Sequence, residues 1–321
     1  MITQFRLIGL LAAVFFLCLG DRAWPQTQRI RISATGRSFT QLPIRIAEVK
    51  GYYRQEGLEV EYIQMAGQLA TTSLFGGHVD ATTAFSSAAI GFTRGFDAKG
   101  VIVFCDKPTF VLVSRPQIRS VGELKGKKIA VSSFGTSSDL ITRKILAHYG
   151  LNSARDSVIL ALGQASVRLA ALQTGAVDAT VLSTPENILA ERAGASRLAE
   201  SAKIIEMPLA GLVVTQNKIA GNRDQVKRMV RATLKGLMLL HQKREEAVDI
   251  ATDWMRLDPE FAAAGYDATL PAYSHEGFAT DQGMRTMLEI VTKGKIGEFS
   301  SSRLADFSFL REALAELKAG K

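Results

Sequence analysis

The feature that most constrains the fold is a tetrapeptide, Val-Asp-Ala-Thr, which occurs twice in the chain. It stands at residues 79–82, within GGHVDAT, and again at residues 177–180, within TGAVDAT. A Gly-Gln pair precedes each copy at nearly the same spacing, at residues 67–68 and 163–164. Four matching residues can arise by chance, so the surrounding pattern decides whether the chain repeats a structural unit.

The predicted elements follow the same order around both copies. Each copy has a strand, a polar loop, a helix ending at glycine, a second strand, a Gly-Gln turn with its helix, the Val-Asp-Ala-Thr strand, a serine-containing turn, a helix and a final strand. The predicted strands are 30–34, 58–63, 79–84 and 101–104 in the first copy, and 128–132, 157–162, 177–182 and 203–207 in the second. This alternation predicts an α/β fold with two similar doubly wound lobes on parallel-rich sheets.

The remainder of the chain is expected to complete the first lobe. Residues 209–219 predict a returning strand, and the helices that follow, within 222–255 and near 281–293 and 302–318, bring no strands to form a third sheet. Two crossings, near 111–116 and 206–212, then join the lobes as a hinge that closes on a ligand. The predicted boundaries are 29–112 for the first part of lobe one, 113–207 for lobe two, and 208–321 for the return strand and the C-terminal helices packed on lobe one.

Residues 1–23 predict a signal peptide and therefore export to the periplasm. Arg6 precedes an apolar run at 7–20 that is too short to span a bilayer. Cleavage is expected after Gly20 or after Ala23, and an uncleaved anchor is the alternative. Lipid anchoring at Cys18 is not expected, because large residues stand before it where a lipoprotein signal has small ones.

Composition and motifs argue against several function classes. The chain has 321 residues, 47% of them hydrophobic, which is typical of a globular protein with about two domains. The net charge is +8, but the basic stretches at 125–128 and 223–235 contain no interleaved aromatic residues, so nucleic-acid binding is not expected. No histidine has another histidine or cysteine at zinc-ligand spacing, and no Gly-x-Ser-x-Gly motif occurs. No metal, cofactor or catalytic residue is therefore assigned.

Several stretches resemble a known family. They are AEVKGYYRQEGLEVEYI, GGHVDATTAFSSA, SVGELKGKKIAVSSFGTSS, AALQTGAVDATVL and ADFSFL. Together they make the chain similar to the periplasmic substrate-binding proteins of ABC importers with the type II periplasmic-binding fold, in the group that handles sulfonates, taurine, nitrate and thiamine-pyrimidine precursors. The resemblance implies a monomer that captures a small anionic or polar molecule between its lobes and delivers it to an inner-membrane ABC permease. The alternative is an exported enzyme on the same scaffold that acts on a small heterocycle or acid.

The candidate binding residues are those that follow strand ends. In open parallel sheets, ligands bind beyond the carboxyl ends of the strands. The two repeated glutamines draw attention because an amide can both donate and accept hydrogen bonds. The candidates are Arg37, Ser38, Phe39, Gly67, Gln68, Leu69, Ser86, Ser87, Ser133, Gly135, Thr136, Ser137, Gln164, Ser183 and Thr184.

The stretch at 132–139, SSFGTSSD, predicts an anion site. It leads from a strand into a helix, whose first N–H groups are unpaired and carry partial positive charge. Arg37 is expected at the equivalent place in lobe one, where a guanidinium can grip an anion. The competing interpretation is that Ser138 or Asp139 already caps the helix and that Arg37 points to water. Asp80 and Asp178 of the repeated tetrapeptides are interpreted as structural, because they can accept nearby backbone N–H bonds.

Overall fold

The computed structural model describes residues 27–65, 67–91, 95–292 and 300–320. The predicted signal peptide lies outside these residues. In the part of the chain that is described, no helix is long and apolar enough to cross a membrane.

Strands and helices alternate through the first two thirds of the chain, and helices dominate the last third. The strands are β1 (Gln28–Ala34), β2 (Leu58–Gln64), β3 (Ala81–Thr82), β4 (Ala98–Cys105), β5 (Val111–Ser114), β6 (Lys128–Val131), β7 (Val158–Ala161), β8 (Ala179–Leu182), β9 (Ser196–Glu200) and β10 (Ala210–Thr215). The helices are α1 (Leu42–Val49), α2 (Tyr52–Gln55), α3 (Gly67–Phe75), α4 (Phe85–Gly91), α5 (Ser137–His148), α6 (Ala165–Gln173), α7 (Glu186–Arg192), α8 (Gln216–Gly221), α9 (Arg223–Gln242), α10 (Arg244–Met255), α11 (Pro259–Thr269), α12 (Asp281–Thr292) and α13 (Ser308–Lys318).

The ten strands form two five-stranded sheets with the same plan. The first has the order β2-β1-β3-β10-β4 and the second the order β7-β6-β8-β5-β9. In each sheet the first three strands are parallel, and the fourth runs antiparallel to both of its neighbours. The predicted fold of two similar α/β lobes is therefore confirmed, and both sheets are mixed.

The antiparallel strand of each sheet adjoins a crossing between the lobes. Strand β5 follows the first crossing and β10 follows the second, so each lobe receives its fourth strand as the chain enters it. The predicted boundary between 112 and 113 falls inside β5, and the predicted crossing at 111–116 is wrong for the same reason. The apolar run at 111–113 is buried in the second sheet, and the first crossing is the segment 106–110.

The repeated tetrapeptide occupies equivalent positions in the two sheets. Asp80 accepts a hydrogen bond from the backbone N–H of Arg31 at 2.8 Å, and Asp178 accepts one from that of Lys128 at 2.9 Å. Each carboxylate thereby ties the start of its own strand to the neighbouring parallel strand. Asp80 also pairs with Lys218 at 2.7 Å. The structural interpretation of both aspartates is confirmed by these contacts.

Replacing Asp80 by alanine is expected to destabilise the first lobe. The variant loses a charge-assisted backbone hydrogen bond and an ion pair, which together cost about 1.5–3 kcal/mol of unfolding free energy. Asp80→Asn keeps an acceptor for the Arg31 N–H and should lose less. Urea denaturation of the three proteins measures the difference, and equal stability of wild type and Asp80→Ala would contradict the assignment.

The C-terminal helices pack on the first lobe, as expected. Helix α9 lies against α1, α2 and α13. Gly236 permits the closest approach, because a Cβ there would overlap the carbonyl oxygen of Pro43. Apolar residues that recur along α9, among them Met229 and Leu240, are fully buried in this contact. Helix α9 is therefore the central packing element among the helices of the first lobe.

Two further local predictions are wrong, and one helix was missed. The final strand of the second copy is Ser196–Glu200, not 203–207, because this polar-alternating segment pairs with β5 while Ile205 and Met207 are buried in the second crossing. The expected turn at 85–87 is the first turn of α4. The structure also contains α11, which was not predicted.

Candidate functional site

A cavity of about 310 Å³ opens between the two sheets, at the carboxyl ends of their parallel strands. Lobe one contributes the loop after β1, the end of β2, the residues after β3 and the start of β10. Lobe two contributes the residues that follow β6, β7 and β8, together with the first turns of their helices. Phe110 and Leu209, from the two crossings, also line it. This position follows from the topology, because strand ends from two facing sheets meet at one cleft.

Seven of the predicted residues line this cavity. They are Arg37, Ser38, Ser87, Thr136, Ser137, Gln164 and Ser183. Gln64, which ends β2, lines it as well and takes the place expected for the Gly67–Leu69 turn.

The other predicted residues lie outside this cavity. Phe39 and Thr184 are buried against Gly265, Leu69 is exposed, and Ser86 is buried beside the cleft. Gln68 and Gly135 line a smaller neighbouring hollow. Neither Gly67 nor Ser133 is among the residues of the cavity wall.

Hydrogen bonds among the chain's own groups hold the loop of the predicted anion site at 132–139. The carboxylate of Asp139 accepts the backbone N–H of Gly135 at 2.8 Å and pairs with Arg143. The hydroxyl of Ser138 accepts the backbone N–H of Ser132 at 2.9 Å. The hydroxyl of Thr136 donates to the carbonyl of Ser133 at 2.7 Å. The competing interpretation, in which Ser138 or Asp139 caps the helix, is wrong: the N-cap residue is Thr136, the helix has no side-chain cap bond, and Ser138 and Asp139 bond to the preceding loop.

Arg37 lies at the mouth of the cavity. Its side chain donates from Nη1 to the carbonyl oxygen of Trp254 at 3.1 Å, and the residue is exposed. This contact turns the guanidinium toward α10, on the first lobe.

We expect Arg37→Ala to weaken solute binding by less than about 1 kcal/mol, with the loss fading at high salt. The guanidinium is solvated and already bonded to a carbonyl, so it contributes mainly long-range charge. Calorimetry at two salt concentrations measures the effect. A salt-independent loss of about 2–5 kcal/mol would instead show that Arg37 closes on a charged group of the solute.

Two charged residues of lobe two, Arg168 and Glu186, were not predicted and line the cavity. Arg168 is 3% exposed and donates to the carbonyl oxygens of Gly163 and Val181. Burial lowers the pKa of Arg168 to about 10, so it remains protonated at neutral pH. Burial also raises the pKa of Glu186, and the positive charge of Arg168 partly opposes that rise. The cavity thus holds a fixed cation beside a carboxyl group that is costly to ionise.

Four enclosed polar atoms of the cavity wall have no hydrogen-bond partner within the described part of the protein. They are Gln41 Oε1, Thr83 Oγ1, Arg168 Nε and Glu186 Oε2. Two belong to lobe one and two to lobe two. Buried polar atoms are nearly always hydrogen-bonded, and leaving one unpaired costs about 1–3 kcal/mol. Such a concentration around one cavity indicates a wall that is completed by a polar guest or by water.

Direct contacts join the two lobes at two places. The hydroxyl of Ser137 on α5 bonds with that of Ser86 on α4, and it lies 3.5 Å from that of Ser87. At the second place, the guanidinium carbon of Arg192 lies 4.6 Å from the ring centroid of Phe261 on α11. Both contacts connect groups of different lobes, so they depend on the lobes being close together.

The two repeated glutamines are expected to differ in function. Gln164 precedes α6, lines the cavity and makes no side-chain cap bond to that helix, whereas Gln68 lies outside the cavity. Gln164→Ala should therefore weaken solute binding about tenfold by removing one hydrogen bond. Gln68→Ala should bind a solute that fills only the main cavity as wild type does. Calorimetry gives both affinities, and apo melting temperatures confirm that neither change unfolds the protein; equal affinities in the two variants would contradict the expectation.

Comparison with known proteins agrees with this architecture. Residues 38–247 match the family model described as NMT1/THI5 like. A riboflavin-binding protein of Chloroflexus aurantiacus is 26% identical over 223 residues, which make up 66% of this chain and 62% of that protein. The chain thus spans less than two thirds of the length of this curated relative.

Two solved structures illustrate the likeness of fold. The alkanesulfonate-binding protein SsuA from Xanthomonas axonopodis pv. citri superposes with a TM-score of 0.72 at 18% identity, covering 89% of this chain and 97% of that chain. The periplasmic nitrate-binding protein NrtA from Synechocystis PCC 6803 gives 0.74 at 13% identity, covering 92% and 90%. At these identities the likeness shows the fold, and it confirms the periplasmic-binding fold expected from the sequence.

Proposed function

The chain belongs to the NMT1/THI5-like family, and from that membership we propose that it is the solute-binding component of an ABC import system. In this function it captures a small molecule between its lobes in the periplasm and presents it to an inner-membrane permease. The relatives that bind alkanesulfonate, nitrate and riboflavin support the proposal, since all three are named for a small solute.

The observation that carries the proposal is the cavity between the lobes with its unpartnered polar atoms. Both lobes supply its wall, so a guest that fills it contacts both at once. A guest that contacts both lobes favours the closed arrangement over an open one, which is the differential affinity that such a protein needs. At about 310 Å³ the cavity stands at the small end of the range for ligand pockets, about 300–1,000 Å³.

The proposed solute is small and polar, and it both accepts and donates hydrogen bonds. Arg168 supplies a fixed positive charge, while Gln41 Oε1 and Glu186 Oε2 are acceptors. A carboxylate, a sulfonate or a polar heterocycle meets the first requirement, and an added N–H or O–H group meets the second. No histidine or cysteine is among the described residues of the wall. We propose that the work of this site is binding and release, with no bond made or broken.

Thermal unfolding in the presence of candidate solutes tests the proposal. A solute at about 100 times its Kd stabilises the folded protein by about 2.7 kcal/mol, which raises the melting temperature by several degrees. The panel would include alkanesulfonates, nitrate, pyrimidines, flavins and aromatic acids. We expect one class to stabilise the protein and to be recovered unchanged. Conversion of a stabilising compound into a product would instead support an exported enzyme.

A further inference from the structure

A second, smaller hollow of about 40 Å³ lies beside the main cavity. Lobe one supplies Gln68, Phe75 and Phe96 to its wall, and lobe two supplies Phe134 and Gly135. Ser87 and Thr136 line both hollows, so the two spaces adjoin. The hydroxyl contacts of Ser137 with Ser86 and Ser87 lie at this boundary.

The wall of the second hollow differs in character from that of the main cavity. Three phenylalanines contribute to it, and two of them, Phe75 and Phe96, are stacked with ring centroids 4.1 Å apart and an angle of 10° between planes. Among the described residues of the main cavity wall, Phe110 is the one aromatic side chain. The cleft therefore combines a polar chamber with an adjoining aromatic one.

Phe134 is the least expected member of this wall. It stands in a loop of serine, threonine and glycine residues between β6 and α5, and it is 55% exposed. Phe96, from the opposite lobe, is 41% exposed. Large apolar side chains that stay exposed on both sides of a hollow indicate surface that another apolar group covers. Aromatic rings gain most from a flat or compact apolar partner placed against them.

Resting on the proposed solute-binding function, we propose that the second hollow is a subsite for an apolar end of the same solute. The solute then joins a polar head, held near Arg168, to a compact apolar or aromatic group that lies between Phe96 and Phe134. A water needs about 10–15 Å³ of such volume, so 40 Å³ accepts a branched group of a few carbons or the edge of a ring. The hydroxyl contacts of Ser137 with Ser86 and Ser87 stand at this passage, and the apolar end of the solute displaces them as it enters.

The solute itself is the proposed occupant of the second hollow. Continuity with the main cavity through Ser87 and Thr136 is the reason, because a group attached to a bound head reaches the hollow without leaving the cleft. A permease surface that covers Phe134 from outside is the competing occupant. It predicts that Phe134 affects transport while solute affinity stays the same.

Calorimetry with matched pairs of probes tests the subsite. The pairs are methanesulfonate with benzenesulfonate, acetate with phenylacetate, and urea with phenylurea, so each pair shares a head and differs in the apolar end. In the pair that binds, we expect the aromatic member to bind about tenfold tighter or more. Phe134→Ala should remove most of that preference and leave the affinity for the small member unchanged. Tyr149→Ala, which truncates an exposed aromatic residue outside both hollows, is the matched control.

Several outcomes would overturn the subsite. One is an aromatic member that binds no tighter than its small partner, and another is a preference that survives in Phe134→Ala. A broad thermal screen that finds binders without any apolar group, and none with one, would overturn the subsite while the proposed function stands. The absence of any binder in both experiments would contradict the proposed function as well.

Discussion

Glu56→Ala is expected to lower the unfolding free energy by about 3 kcal/mol and the melting temperature by roughly 4–6 °C. The Glu56 side chain is 5% exposed and ends α2 beneath the C-terminal helices. Its carboxylate accepts a hydrogen bond from Arg231 Nε at 2.8 Å, makes a second bond with Arg231 Nη2, and lies 3.5 Å from Lys235 Nζ. Its hydrogen bonds raise the pKa of Arg231, whose charge is therefore stabilised in the folded protein.

The size of the expected loss follows from what the variant leaves behind. Arg231 and Lys235 stay on α9, each about a quarter exposed, and Arg231 keeps its contact with Glu316 at 2.5 Å. Removing one partner of a buried pair costs about 3–5 kcal/mol, and the remaining contact places the loss at the lower end. Glu61→Ala is the matched control, because its pair with Arg29 is 3.8 Å long and solvent-exposed. If both variants melt alike, the Glu56 network does not hold α9 to the first lobe.

Ser166→Trp is expected to weaken solute binding by about 100-fold or more while the apo protein keeps its stability. Ser166 lies in the first turn of α6, is exposed, and lines the main cavity. An indole at this position occupies space that the solute needs. Because the residue is on a solvated helical turn, its replacement should change the unfolding free energy by only about 0.5 kcal/mol.

Val167→Trp provides the matched control for this experiment. Val167 is the next residue of α6, is 52% exposed, and does not line the cavity. Both variants carry the same new side chain at neighbouring positions of one helix. A difference in solute affinity between them therefore reports where the solute binds. Wild-type affinity in Ser166→Trp would place the binding site elsewhere.

The paired lobes were predictable because their signal is carried by sequence order. The same order of strand and helix periodicity recurs around both Val-Asp-Ala-Thr copies. The equivalent hydrogen bonds of Asp80 and Asp178 show that the two copies occupy equivalent structural positions. The change of sheet between Cys105 and Val111 was not predictable from the pattern. A short buried strand and a short apolar crossing look alike in sequence, and the pairing of β5 with two distant strands decides between them.

The sequence before helix α11 contains a helix-start signal. Asp258 accepts the backbone N–H of Glu260 at 3.0 Å, and Pro259 occupies the first turn, which is a regular start for a helix. The run of alanines that follows has little periodicity, so the starting signal was the available evidence. This helix brings Phe261 against Arg192 of the other lobe.

The candidate site was predictable in location but not in its charges. Strand ends identified the right edges of both sheets, and seven predicted residues line the cavity there. Arg168 was missed because a charged residue within a helix is normally solvated, and only the tertiary fold buries it. Arg168 lies four residues after Gln164, which is one helical turn, and it stands between the apolar residues Val167 and Leu169. This spacing was the sequence signal that places Arg168 near the cleft. The sequence also does not show that the Asp139 carboxylate turns back to the backbone N–H of Gly135, in the loop before the helix start at 137.

A crystal structure of the protein with the compound that stabilises it most would show where the solute binds. We expect density for that compound between the two sheets, in contact with residues of both lobes and with its polar groups near Gln41 and Arg168. Density on the outer surface of one lobe, with the cavity between the sheets holding only water, would contradict it.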